Sequence, residues 1–239
     1  MTFEYILWVV TQFGAFILAL SIHEAAHAFA ANRFGDPTAR QMGRLTLNPA
    51  AHVDPIGTLL FPAIAAITHF PLIGWAKPVP VNPYNLKDPK LDHAFIAGAG
   101  PLSNLVQAAL YTGLLWFLQP LSGSFVEHTL AHRGLPLAGW VFFVVAMFCI
   151  AGIIINLLLA IFNLIPIPPL DGGWILGGVL PEGAARVLQS LASVGFLIII
   201  MLVYAGFFSF IFYPILNNYV RVFFPEYAYV VLWKVGMLG

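Results

Sequence analysis

Long runs without a single charged side chain constrain this chain more than any other feature. Tyr5–Ile22, Ala94–Val126, Gly134–Leu170 and Val187–Val220 contain no Asp, Glu, Lys or Arg. About 20 mostly apolar residues in a helix cross the hydrocarbon core of a bilayer. In the 239-residue chain 60% of residues are apolar and 8% charged, against about 25% charged in a soluble domain. Mean hydropathy is +0.89. This excludes disorder, a coiled coil and an ordinary water-soluble fold. Ten basic residues balance ten acidic ones, and no basic run exists to neutralise phosphates, so nucleic acid is excluded as a partner. The single cysteine, Cys149, excludes an intrachain disulfide framework and a multi-cysteine metal site. The runs show no period-2 alternation, which disfavours a β-barrel. The sequence thus predicts an all-α integral membrane protein, a polytopic bundle with helices at about 4–33, 94–119, 137–163 and 187–213. One membrane-embedded domain, 1–239, accounts for the whole chain.

Between the first two helices the chain is irregular. Prolines stand at 37, 49, 55, 62, 71, 78, 80, 83 and 89, and proline blocks helix interiors and biases the preceding residue to extended backbone. Gly74–Pro83 reads as an extended run. Gly43–Leu47 alternates and ends in the turn signal Asn48-Pro49, so it reads as a short strand. Ile56–Phe70 is apolar but short and contains Pro62, which suits a re-entrant segment as well as a full span.

Chemistry concentrates at the end of the first helix. Ionisable residues inside a membrane are expensive and mark function. His23-Glu24-Ala25-Ala26-His27 has the H-E-x-x-H pattern. At 3.6 residues per turn, His23 and His27 share one helix face a turn apart. Two imidazoles so placed can bind one zinc ion. Glu24 is rotated about 100° from His23, beside the metal, where it can take a proton from the attacking water. The bland reading is a buried histidine pair without metal.

A catalytic zinc needs a third protein ligand and an open position. The best candidate is Asp171, in Asn163-Leu164-Ile165-Pro166-Ile167-Pro168-Pro169-Leu170-Asp171-Gly172-Gly173. The prolines end the third helix and aim the chain, and the glycines let the backbone come close to a ligand. The competing reading makes Asp171 the N-cap of a helix starting near Gly172.

The paired motifs resemble the site-2 protease family of intramembrane metalloproteases, in a compact form without an inserted PDZ domain. The resemblance spans about residues 15–180, and Gly100-Pro101-Leu102-Ser103-Asn104 is similar to another family element. It implies a three-helix catalytic core (about 4–180), followed by a further helix and an interfacial tail over 187–239. It also implies one zinc per chain on His23, His27 and Asp171, with Glu24 as base. Asn163 falls on the family's asparagine that polarises the scissile carbonyl. The implied partners are the lipid bilayer and transmembrane protein substrates, cut within or next to their membrane segments. A substrate helix must unwind first, and an extended strand, either 74–82 or Gly43–Leu47, can pair with it. The alternative function is a non-proteolytic zinc-binding or ion-transporting membrane protein.

Topology supplies an independent check. His23 and His27 lie near the end of the first helix and Asp171 just past the end of the third, so both ends must face one side. That requires Ile56–Phe70 to return to the side it left. Arg33, Arg40, Arg44, Lys77, Lys87, Lys90 and Arg186 then share the site's side, against Arg133, Arg221 and Lys234. The positive-inside rule makes that side cytoplasmic, in a cell (inner) membrane. Asp92 and His93 are expected to cap the second helix. Asn156 is expected to make an interhelical hydrogen bond. His52 and Asp54 either approach the metal or serve a loop turn. His69, His128 and His132 are expected at the interface, and Tyr213–Leu238 reads as an interfacial aromatic belt.

Overall fold

A computed structural model describes residues 3–60, 64, 74–131 and 134–235. The long helices are α1 (Phe3–Arg33), α3 (Pro89–Leu118) and α5 (Leu137–Asn163); α2 (Thr38–Gln41) is a single turn and α4 (Ser122–Leu130) links α3 to α5. After α5 come α6 (Asp171–Val179), α7 (Glu182–Ser190), α8 (Ala192–Tyr204), α9 (Phe207–Phe223) and α10 (Glu226–Lys234). Among the described residues there is no β-strand.

α1 meets no proline in its 31 residues, and Glu4 in its first turn and Arg33 in its last complement the helix dipole. α3 begins at a different cap from the one expected. Asp88 is its N-cap, accepting the Leu91 N–H at 3.1 Å, while Asp92 accepts the Asp88 N–H at 3.0 Å. These reciprocal bonds act like a capping box, with Asp92 one residue past the usual glutamate position. His93 is not a cap; its ring stacks on Trp174 at 4.4 Å.

Cross-helix contacts fix the directions. His27 late in α1 bonds Ile96 early in α3, and His23 bonds Asn104 further along, so α1 and α3 run antiparallel. Asn104 bonds Asn156 late in α5, and Gly152 packs on Tyr111, so α3 and α5 are antiparallel too. α1 and α5 therefore end on the same side. α5 is the spine: Phe143, Ala146, Met147, Ile150, Ala151 and Ile153 are completely buried. It stops where Pro166, Pro168 and Pro169 remove successive backbone donors.

Among the described residues two helices, α1 and α5, are by themselves long and apolar enough to cross a membrane. α3 is about 45 Å long but buries Asn104, Gln107 and Thr112, polar residues that lower its hydropathy. The single helix expected over 187–213 is broken. α7 and α8 meet at a 66° bend and pass as a third span only when taken together. α7 carries Glu182 and Arg186 on an amphipathic helix, which favours the interface, whereas α8 is apolar throughout. Gly206, at φ +77°, then separates α8 from α9. The expected belt is only part of the tail: Tyr213, Tyr229 and Trp233 are exposed, but Tyr227, Ala228, Val231 and Leu232 are buried. The Tyr227 hydroxyl donates to Leu115 O at 2.5 Å, tying α10 to the far end of α3.

The segment between α1 and α3 leaves and returns at one place. Asp36 is fully buried and accepts from Thr38 N and Oγ1, from Asn82 N at 2.7 Å and from Asn85 Nδ2 at 2.8 Å. Burial pushes its carboxyl up, but these hydrogen bonds outweigh it and hold the group below its usual value. Further in, Lys77 N donates to His52 O at 2.9 Å and Trp75 N to Gly57 O at 3.3 Å. The chain that leaves at Gly57 is thus back beside it at Trp75. The path expected for Ile56–Phe70 lies outside the described residues, apart from a π-helical turn at Pro55–Leu60 and residue Ile64.

Gly43–Leu47, expected as a strand, is a turn and bend. Three of its five backbone donors are spent locally: Gly43 N on Arg40 O, Arg44 N on Ala39 O, Thr46 N on Arg44 O. Residues 74–82 carry no helix, as their prolines predict.

Candidate metal centre

Three side chains from two distant parts of the chain converge. His23 and His27 project from one face of α1, and Asp171 from the first turn of α6. His23 Nε2 and His27 Nε2 are 3.0 Å apart, and Asp171 Oδ2 lies 3.2 Å from the first and 3.4 Å from the second. Among the described residues this is the one group of three His, Cys, Asp or Glu side chains close enough to hold a metal ion. Leu170, not Asp171, occupies the N-cap position of α6, and its side chain makes no cap bond. The carboxylate of Asp171 is therefore free of capping duty.

Each ligand candidate is held from behind. His27 Nδ1 donates to Ile96 O at 2.8 Å; a carbonyl can only accept, so in the neutral ring that a metal binds His27 Nε2 presents a lone pair. His23 Nδ1 bonds Asn104 Oδ1 at 2.5 Å. Asp171 Oδ2 is buried without a hydrogen-bond partner, which in a native site calls for a missing partner such as an ion. Gly100 completes the cradle from α3. A Cβ there would run into His27 Nε2 and approach His23 Cε1 to 2.5 Å, so only glycine lets the helix backbone lie against both rings. The donor set, two imidazoles and a carboxylate around one point, fits a divalent transition metal.

Glu24 is buried on α1 next to His23 and is not a member of the triangle. Asn163 ends α5, and its amide donates to Leu159 O at 3.0 Å, with no hydrogen bond to the triangle. Gly172 lies against the Leu164 and Ile165 carbonyls, so it closes the proline loop on itself; the expected close approach to a ligand falls to Gly100 instead. His52 and Asp54 serve a loop: His52 Nε2 bonds Thr46 O at 2.9 Å, and Asp54 accepts the Ile56 and Gly57 N–H groups. Asn156 makes the expected interhelical bond, with Asn104 as its partner. Ile96 carried no readable signal, because it contributes only a carbonyl, and Gly100 was marked only as part of the element Gly100–Asn104, with no role attached. Asn104 carried a signal, as an amide inside an apolar helix.

A helix bundle of membrane character that brings two histidines and an aspartate together, with a buried glutamate beside one of the histidines, fits the class of membrane metalloproteases. The chain belongs to peptidase family M50, the site-2 protease family, whose match covers residues 12–203. It is 37% identical over 201 residues to YwhC of Bacillus subtilis, named as a zinc metalloprotease, covering 84% of this chain and 83% of that one. It is 29% identical over 191 residues to Rip2 of Mycolicibacterium smegmatis, also named as a zinc metalloprotease, covering 79% of this chain and 64% of that one. No solved structure matches it. Membership of a peptidase family sets proteolysis above non-proteolytic zinc binding or ion transport.

Proposed function

We propose that this chain is a single-domain zinc endopeptidase that cuts membrane proteins within or next to their transmembrane segments, as in regulated intramembrane proteolysis. The observation that carries the reading is the convergence of His23 Nε2, His27 Nε2 and Asp171 Oδ2 on one point. These three residues would hold one zinc, leaving a fourth position open, as catalytic sites do. When bound, zinc polarises the scissile carbonyl and makes a water acidic enough to ionise near pH 7. Glu24 accepts the proton of the attacking water and passes it to the leaving amine; such general acid–base catalysis contributes about 10²–10⁴-fold. Asn163 has a second N–H beyond the one given to Leu159 O, and it serves the developing oxyanion.

The substrate must unwind before its amide is reached, leaving backbone groups unpaired at several kcal/mol each. Of the two candidate pairing segments, Gly43–Leu47 spends most of its donors on turns. Residues 74–82 form the extended platform, anchored through Trp75 and Lys77 to the 52–57 loop. The pairing of Trp75 N with Gly57 O keeps the two flanks of the intervening stretch on one side of the membrane. The three-helix core of α1, α3 and α5 opens its metal centre toward the cytoplasmic side of the cell (inner) membrane, where most basic residues lie.

The deciding experiment compares cleavage of a candidate transmembrane substrate by wild type and Glu24→Gln, both loaded with zinc. The variant should retain metal and lose at least 10²-fold in turnover. Near-wild-type cleavage by Glu24→Gln would remove Glu24 from the reaction.

A further inference from the structure

We infer that Asn104 and Asn156 form a directional amide relay that fixes the proton of His23 on Nδ1 and so leaves Nε2 bare toward His27 and Asp171. The inference rests on reading His23 as a metal ligand. The two histidines are held differently. His27 is oriented by the backbone carbonyl of Ile96, which has one polarity only. His23 faces an amide side chain, and an amide can offer either an acceptor or a donor. Its polarity must therefore be set by something else.

The setting can be followed from the far end. Asn156 bonds Gly152 O at 2.8 Å; a carbonyl only accepts, so the Asn156 NH₂ must point there. The Asn156 oxygen then faces Asn104 at 2.8 Å and can only accept, so Asn104 turns its NH₂ to Asn156 and its oxygen to His23. At 2.5 Å from that oxygen, His23 Nδ1 must carry the proton. Asn104 and Asn156 are both 0% exposed, and His23 is 4% exposed, so the bonds run inside the protein. In the opposite tautomer, Nε2–H would point a proton into the space between His27 and Asp171. A proton there competes directly with a metal, since ligands must be deprotonated to bind. Asn104 and Asn156 are thus positioning residues acting through His23, and Gly152 O is the fixed reference.

Partners behind metal-ligating histidines typically affect metal affinity 10–100-fold when removed. The test uses the full-length protein with ¹⁵N-labelled histidine, first stripped of metal by chelator, with the His23 signals identified by their loss in His23→Gln. Wild type should show the His23 proton on Nδ1. Asn104→Leu and Asn156→Leu should move it, at least in part, to Nε2 and weaken zinc binding 10–100-fold in competition titration against a chromophoric chelator. Asn156→Leu is informative because Asn156 bonds neither histidine. Asn104→Asp should keep the Nδ1 proton, because both its oxygens accept. A purely space-filling role predicts the reverse order, since leucine buries no charge and aspartate does. A wild-type spectrum with His23 Nδ1 bare and the proton on Nε2, or an unmoved Nδ1 proton and unchanged affinity in both leucine variants, would overturn the relay. The wild-type spectrum decides even if a leucine variant fails to fold. A protein that keeps the Nδ1 proton yet binds no zinc would refute the metal reading and leave the relay standing.

Discussion

His23 and His27 meet Nε2 to Nε2 at 3.0 Å on the inner face of α1. Helical spacing puts the two rings on one side, but it does not bring them this close or give them a third companion. Asp171 does that from 148 positions along the chain, at 3.2 and 3.4 Å. Acceptors this close repel one another unless a proton or a cation lies among them, and the proposed metal would fill that role.

Metal content follows directly. Purified protein should carry about one zinc per chain. His23→Ala and Asp171→Asn should each lose most of it, the second because it removes charge with little change of shape. Elemental analysis of the variants checks this, and full retention in His23→Ala/His27→Ala would place the metal elsewhere.

Gly100 offers a test that touches no ligand chemically. A methyl group there collides with both imidazoles, so Gly100→Ala should displace them, release metal and lower cleavage by about 10²-fold, the scale of a 1 Å misplacement. Gly98, two residues earlier on the same helix, has nothing within 4 Å of a Cβ. Gly98→Ala should be silent in activity and neutral or stabilising by about 0.5–1 kcal/mol. Equal effects of the two substitutions would contradict the cradle.

Asp36 sets an acid limit. Its carboxyl titrates lower in the folded protein than in the unfolded chain, so its stabilisation is present above the ordinary carboxylate value near pH 4. That stabilisation is lost as pH falls through the depressed folded value. Asp36→Asn should remove this component and destabilise by about 1–3 kcal/mol at neutral pH, since hydrogen bonds to a charged acceptor are replaced or left unmade. Thermal unfolding of both proteins from pH 7 to 3 should show the gap narrowing below about pH 4. A gap independent of pH would show that the charge is not what holds the loop.

Topology can be read by labelling. Tyr84 is 97% exposed beside the start of α3, and Ser124 is exposed in α4 beyond its opposite end. In a Cys149→Ala background, a membrane-impermeant thiol reagent applied outside the cell should modify Ser124→Cys and spare Tyr84→Cys. Modification at 84 from outside would invert the orientation proposed for the metal centre.

Much of this protein was legible in one dimension. Charge-free runs predict helices in lipid, and the boundaries of α1 and α5 fall close to where apolar periods and prolines put them. His23, Glu24 and His27 announce themselves because i, i+4 spacing is local geometry. Asp171 stands out because an acid in a proline-broken membrane segment is costly without a partner. The rest depended on what the folded chain brings together. The extra turn that makes Asp88 the cap of α3 comes from a reciprocal bond between two aspartates. The failed strand at Gly43–Leu47 had alternation but no neighbour to pair with, and most of its donors closed turns instead. The break at Gly206 and the burial of Tyr227 reflect packing of the tail against the far end of the bundle. Above all, the sequence supplied two imidazoles and a carboxylate, while the tertiary structure supplied their orientation. Which ring nitrogen turns toward Asp171 follows from the Ile96 carbonyl and from Asn104, groups 69 and 81 positions away, because hydrogen-bond direction exists only once donors and acceptors face each other in three dimensions.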